Sequence, residues 1–290
     1  MAQIYRPRAG QRRGPMAVKV PEITATFWIL KLLTTGMGEA ASDYLLSTLR
    51  FVGFGIGLLG FVLSLWVQFR TRRYNAFAYW SAVMMVAVFG TMAADVMHHQ
   101  LHVPFEISTA GYLLALMVTF WAWHRTERSL SIHSITTRRR EVFYWLAVSF
   151  TFALGTAAGD LTASVLHFGF AGSIVLFAVV FAIPAMGYWR FRLNSVVAFW
   201  WAYIITRPLG ASVADWVSKP HRAGGLGYGD VPVVAVLLGI IFVLLAFVAV
   251  RSRAGAYSAD SWNSTIADTV STASLTAHRR AAAEGAASTE

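Results

Sequence analysis

The chain has no cysteine. That excludes a thiolate nucleophile, a disulfide framework, a Cys-ligated zinc site and an iron–sulfur cluster. Charge is scarce as well. Asp, Glu, Lys and Arg make up 13% of the residues, against about 25% in a soluble domain. A disordered chain is excluded by the opposite surplus, because 57% of the 290 residues are hydrophobic. No Ser/His/Asp array, G-x-S-x-G elbow or H-E-x-x-H pair is present. The glycine-rich stretch 221–230, HRAGGLGYGD, lacks the Lys-Ser/Thr ending of a phosphate-binding loop and reads as a flexible connection. These gaps argue against an enzyme.

What the chain has is apolar length. Eight runs lie at roughly 23–46, 51–69, 76–98, 107–123, 142–167, 169–189, 195–217 and 231–250. A membrane-spanning helix needs about 20 mainly apolar residues, so the expected fold is an all-α polytopic bundle of about eight helices. Residues 1–22 are basic and contain no apolar core, unlike a secretory signal. The first run therefore reads as an uncleaved membrane helix. Residues 251–290, rich in Ser, Thr and Ala, read as a disordered tail.

The 24 Lys and Arg residues outnumber the 14 acids, and their placement decides what that means. With eight spans, nineteen of the 24 fall on the side of the two tails, including Arg70, Arg72, Arg73 and Arg138 to Arg140. Arg50, Lys219 and Arg222 fall on the other side. Positive loops stay in the cytoplasm, so both termini are expected there. The basic excess is a topology signal and a rim facing anionic lipid, not a nucleic-acid footprint.

Alternate runs align without gaps: FWILKLLTTGMGEAASDYL (27–45), YWSAVMMVAVFGTMAADVM (79–97), YWLAVSFTFALGTAAGDLT (144–162) and FWWAYIITRPLGASVADWV (199–217). Each carries an aromatic residue, a Trp, nine residues, a Gly, four residues and an Asp. The sets are Trp28, Trp80, Trp145 and Trp200; Gly38, Gly90, Gly155 and Gly210; and Asp43, Asp95, Asp160 and Asp215. This pattern, over about residues 20–250, resembles a family of bacterial integral membrane proteins built from four tandem copies of a two-span repeat of unknown function, each with a characteristic Trp. The resemblance implies an inner-membrane location and repeats at about 23–70, 75–124, 141–189 and 195–250. It implies no chemistry.

Two spans per copy make the four motif helices parallel, about an axis along the membrane normal. Fifteen residues at 1.5 Å put each Asp about 22 Å beyond its Trp, in the outer half of a core about 30 Å thick. The Trp set reads as interfacial anchors or packing. The Gly set, with neighbouring Ala and Ser, reads as close helix packing.

The Asp set is costly, at about 2.5–3.5 kcal/mol per ionised residue inside a span. Three arrangements would satisfy it: capping of neighbouring helix ends, pairing with buried bases, or binding protons or cations. Glu39, four residues before Asp43, shares its helix face. Lys31 and Arg207 are the bases inside the runs, as counter-ions or gate, and Arg207 could equally bridge the first and seventh runs by pairing with Glu39 or with an Asp. Pro208 should kink its helix. Five acids against two bases favour a cationic occupant.

Seven residues past each Asp stand Arg50, His102, His167 and Arg222, which share its face if the helix continues. His98 and His102 have the i, i+4 spacing of a metal pair, beside the alternative of a polar loop. The leading expectation is passage of a small cation, proton-coupled or metal. Asp43, Asp95, Asp160, Asp215 and Glu39 would bind it, with His98, His102 and His167 as outer titratable or metal-binding groups. The alternatives are a membrane scaffold in which the motif only sets packing, or a cofactor carrier with haem on His98, His99, His102 or His167. The sequence itself specifies no cofactor; the expected partners are the bilayer and the cation.

Overall fold

The computed structural model describes residues 18–191 and 193–250. The tail from 251 and all but the end of the basic 1–22 segment lie outside them. Seven helices among the described residues are long and apolar enough to cross a membrane, and no strand occurs among those residues. They are α1 (Ala25–Arg70), α2 (Ala76–Asp95), α3 (Phe105–Glu127), α4 (Arg138–Asp160), α5 (Gly169–Phe191), α6 (Ser195–Ser218) and α7 (Asp230–Val250). The chain divides into two units. Met1–Phe242 carries the bundle, and the described part of Val243–Glu290 completes the last helix.

α1 absorbs two of the eight apolar runs. Its 46 residues would extend about 69 Å if straight, twice a bilayer core, but Arg50 leaves the helical region at φ 49° and ψ −120°. The chain reverses there. Gly53 lies so close to the Leu45 carbonyl that a Cβ would overlap it. Down the first limb, 25–49, contacts with α2 ascend together, from Phe27–Trp80 to Glu39–Thr91. Along the second limb, 51–70, they descend, from Gly57–Met92 to Gly60–Met85. The limbs are thus antiparallel, and the first runs parallel to α2.

The motif helices start where a side chain can cap them. Thr24, Asn75, Thr137 and Asn194 each accept a hydrogen bond from a first-turn amide, that of Phe27, Ala78, Arg140 or Val196. The four helices then close a ring in chain order: the first limb of α1, then α2, α4, α6 and back to α1. One packing rule recurs at every seam. The aromatic residue of one motif meets the Trp of the next: Phe27 with Trp80, Tyr79 with Trp145, Tyr144 with Trp200, and Phe199 with Trp28. The motif Gly does likewise. A Cβ on Gly38 would collide with Ala87, on Gly90 with Phe152, on Gly155 with Arg207 and Pro208, and on Gly210 with Thr35. Glycine is needed here for close approach, not for backbone freedom.

The remaining helices follow the same order outside the ring. Phe61 of the second limb stacks on Phe89 of α2, and Trp123 of α3 stacks on Phe143 of α4. Trp201 of α6 donates to the Val180 carbonyl of α5, and Leu237 of α7 lies against Gly36 of α1. Side chains such as Leu114, Val175 and Val236 stay exposed on this outer layer. An apolar exterior is stable against lipid, whereas in water it would be an association site.

The Trp set packs inside rather than anchoring at the rim. Trp80, Trp145 and Trp200 are buried and Trp28 is half-buried. The Trp end is closed further by the chain before α1. Lys19 is buried there, with its ammonium 2.7 Å from Glu141. Burial pulls the Lys19 amine below its ordinary 10.5, against the opposing effect of Glu141.

Candidate functional site

Two of the motif helices end at their Asp residues, while the other two run on past theirs, α6 to Ser218 and the first limb of α1 to the break at Arg50. Asp95 and Asp160 are the last α-helical residues of α2 and α4, and each is followed by one π-helical turn, Val96–Gln100 or Leu161–Val165. A π turn widens the helix and re-aims the side chains that follow it. Asp43, Asp95, Asp160 and Asp215 all line one cavity of about 1110 Å³, together with Glu39. The fourfold pattern therefore brings its acids to a single space on the ring axis.

Below the acids the axis is filled. The residue after the motif Gly is Glu39, Thr91, Thr156 and, in the fourth copy, Ala211. Arg207 lies one turn before Ala211 and reaches across the ring. Its guanidinium donates to Glu39 Oε2 at 2.5 Å, to Thr156 Oγ1 at 2.6 Å and to Thr91 Oγ1. Arg207 and Glu39 are both buried. The Arg207–Glu39 bridge anticipated from the sequence is thus formed, and α6 remains one continuous helix through Pro208. Lys31 lies deeper. Its Nζ sits 4.0 Å from the Phe152 ring centre and 4.3 Å from that of Tyr203, with no hydrogen-bond acceptor among the described residues. The Tyr79 and Tyr144 hydroxyls meet at 2.5 Å. Bases, aromatic rings and phenols close the cavity toward the Trp end.

Above the acids a second ring lies one turn further on: Ser47, His99, Ser164 and Lys219, four residues beyond the respective Asp, all line the cavity. Lys219 donates to Asp43 Oδ2 and lies 3.9 Å from Asp215 Oδ1. Burial alone would lower the Lys219 pKa, but Asp43 and Asp215 outweigh it and raise the amine above its ordinary 10.5. Ligand oxygens of Glu39, Asp43 and Asp215 lie within 4.8 Å of one another, a spacing that could hold a metal ion. Among the described residues, Asp95 and Asp160 have no Lys or Arg within ion-pair distance.

Three expectations are corrected. The residues seven past each Asp do not share its helix face. Arg50, His102 and His167 take the left-handed conformation (φ 49°, 55° and 58°) and end their helices, and Arg222 sits in a separate 3-10 turn, His221–Ala223. The His98–His102 pair therefore does not form. His98 binds the Val103 carbonyl through Nδ1 at 2.9 Å and packs against His99. His98 and His99 line the cavity, while His102 and His167 are not among its lining residues. The glycine-rich loop is no loose connection either. It folds back on α6 through Gly227 N to Lys219 O at 2.8 Å and Gly229 N to Ser218 O at 2.9 Å.

Lys219, Thr91, Thr156, Ser47 and Ser164 were not singled out from the sequence. All five stand at fixed offsets from the motif Gly or Asp, so the alignment held the signal.

Three segments, 78–129, 143–194 and 198–254, match the Repeat of Unknown Function (DUF347) family, and together they cover more than half the chain. The chain belongs to this family. Each DUF347 segment begins just before a motif aromatic–Trp pair and takes in one ring helix with the outer helix after it. No curated protein and no solved structure matches.

Proposed function

We propose that the protein is a membrane carrier for a small cation, with its binding site in the acid-lined cavity on the ring axis. One observation carries this reading: four acids at equivalent positions of four helices, plus Glu39, meet in one space. Packing alone does not call for that, since caps and interhelical bonds would leave the acids at separate seams. Carboxylates inside a span cost free energy unless they are paired or hold a cation or a proton, and among the described residues Asp95 and Asp160 have no basic partner. The Arg207 bridge and the aromatic layer beneath it favour a carrier that opens alternately over a continuous pore.

The reading extends to α1 as a fourth, diverged copy of the repeat. Its Phe27-Trp28, Gly38 and Asp43 obey the same seam rule as the matched segments. The basic bias of the Trp side supports a cytoplasmic orientation for that end, in a bacterial inner membrane, with the cavity on the opposite side.

Cation flux into proteoliposomes tests the proposal. Asp95→Asn and Asp160→Asn, which break no ion pair, should abolish flux while leaving the protein folded. Unchanged flux in both folded variants, or none in the wild type for protons, monovalent or divalent cations, would favour the scaffold reading.

A further inference from the structure

Three of the four residues in the second ring, Ser47, His99 and Ser164, have short or aromatic side chains. The fourth is Lys219, and it brings an ammonium into the acid cavity. Its surroundings fix the backbone, while the side chain is held only by its ammonium, on Asp43 and beside Asp215. Lys219 is the first residue past α6 and is extended (φ −69°, ψ 151°). Its amide binds the Asp215 carbonyl at 2.8 Å, and its own carbonyl accepts from Gly227. Gly225 passes so close that a Cβ would overlap the Lys219 carbonyl. Only the four-carbon stem, 30% exposed at the cavity mouth, crosses to Asp43 on α1. A lysine ammonium on such a stem swings readily, unlike the planar fork of arginine.

Resting on the carrier reading, we propose that Lys219 is the site's resident cation, a tethered competitor that a divalent substrate must displace. Glu39, Asp43 and Asp215 are spaced to share one ion. Arg207 already balances one of these three charges through Glu39. Two negative charges remain, which an ammonium neutralises by half and a divalent cation in full. Carboxylate oxygens suit hard divalent ions such as Mg²⁺ and Mn²⁺. Binding is then an exchange: the cation enters and the ammonium leaves for the mouth. The Lys219–Asp43 pair, which joins the last motif helix to the first, parts as it does so.

Mn²⁺ is the probe. Free Mn²⁺ is titrated by electron paramagnetic resonance against the full chain in detergent. Lys219→Gln should bind at least tenfold more tightly than wild type, and Lys219→Arg no more tightly. A second measurement needs no variant. Lys19 and Lys31, the other two lysines, are buried, so an amine-reactive reagent reads Lys219 among the lysine side chains, and mass spectrometry resolves the site. Saturating Mn²⁺ should raise its labelling rate severalfold. If wild type binds Mn²⁺ but Lys219→Gln binds no more tightly, or Lys219 labelling does not change, the competitor role is overturned and the carrier reading stands. If neither wild type nor the variants bind Mn²⁺, the divalent-exchange proposal fails; if flux of every other cation class is also absent, the carrier reading fails with it.

Discussion

Arg207 is held entirely by other helices: Glu39 from α1, Thr91 from α2 and Thr156 from α4. A buried pair of this kind is weak evidence of net stabilisation, but breaking it from one side is costly, by about 3–5 kcal/mol. Glu39→Gln should therefore lower stability by roughly that amount, read as the unfolding midpoint in detergent. Adding Arg207→Met should restore more than half of the loss, whereas additive losses would contradict the pairing. Thr91→Val should cost about 1.5–3 kcal/mol, as for a hydrogen bond to a charged group. The alignment shows Glu39, Thr91 and Thr156 as one position, and that part was legible. That Arg207 crosses the axis to all three was not, because a sequence fixes depth along each helix but not which helices are neighbours.

At the scale of the helix, close approach and termination are what matter. Gly38→Ala places a methyl on the Ala87 Cβ and against its backbone, while Gly55→Ala meets nothing within 4 Å among the described residues. Gly38→Ala should lose about 1–3 kcal/mol through overpacking, and Gly55→Ala should be neutral or slightly stabilising. Equal effects would show that the motif glycines serve backbone freedom instead. His102 and His167 end their helices in the left-handed conformation, which costs a non-glycine residue roughly 1–2 kcal/mol. His102→Gly and His167→Gly should hold or raise the unfolding midpoint and leave cation binding intact, whereas His167→Val should lower the midpoint. Loss of binding in the Gly variants would return these residues to the metal-ligand role that their spacing suggested. Run lengths located the helices to within a few positions. The reversal at Arg50 falls in the gap between the runs 23–46 and 51–69 and was legible there, whereas the π turns after Asp95 and Asp160 were invisible, because neither needs a Gly or Pro to mark it.

Across the whole bundle one rule is repeated at four seams, and function enters where the rule is broken. Ala211 stands where the other copies have Glu or Thr, and Arg207 crosses the axis instead. Lys219 stands where the others have Ser or His. Both exceptions lie in or just past the last motif helix and pair with acids of the first, across the seam the chain does not link in sequence. Opening for transport is thus expected between α6 and α1, and substituted cysteines on that seam, placed in a chain with no native cysteine, should change reactivity most on cation binding. Equal changes at all four seams would contradict this.

The central claim is that the four acids form one site, and binding stoichiometry tests it most directly. If the site is shared, the wild type takes up one divalent ion per chain, and each of Asp43→Asn, Asp95→Asn, Asp160→Asn and Asp215→Asn weakens that same binding event. Several ions per chain, with each substitution removing one and leaving the others unchanged, would contradict it.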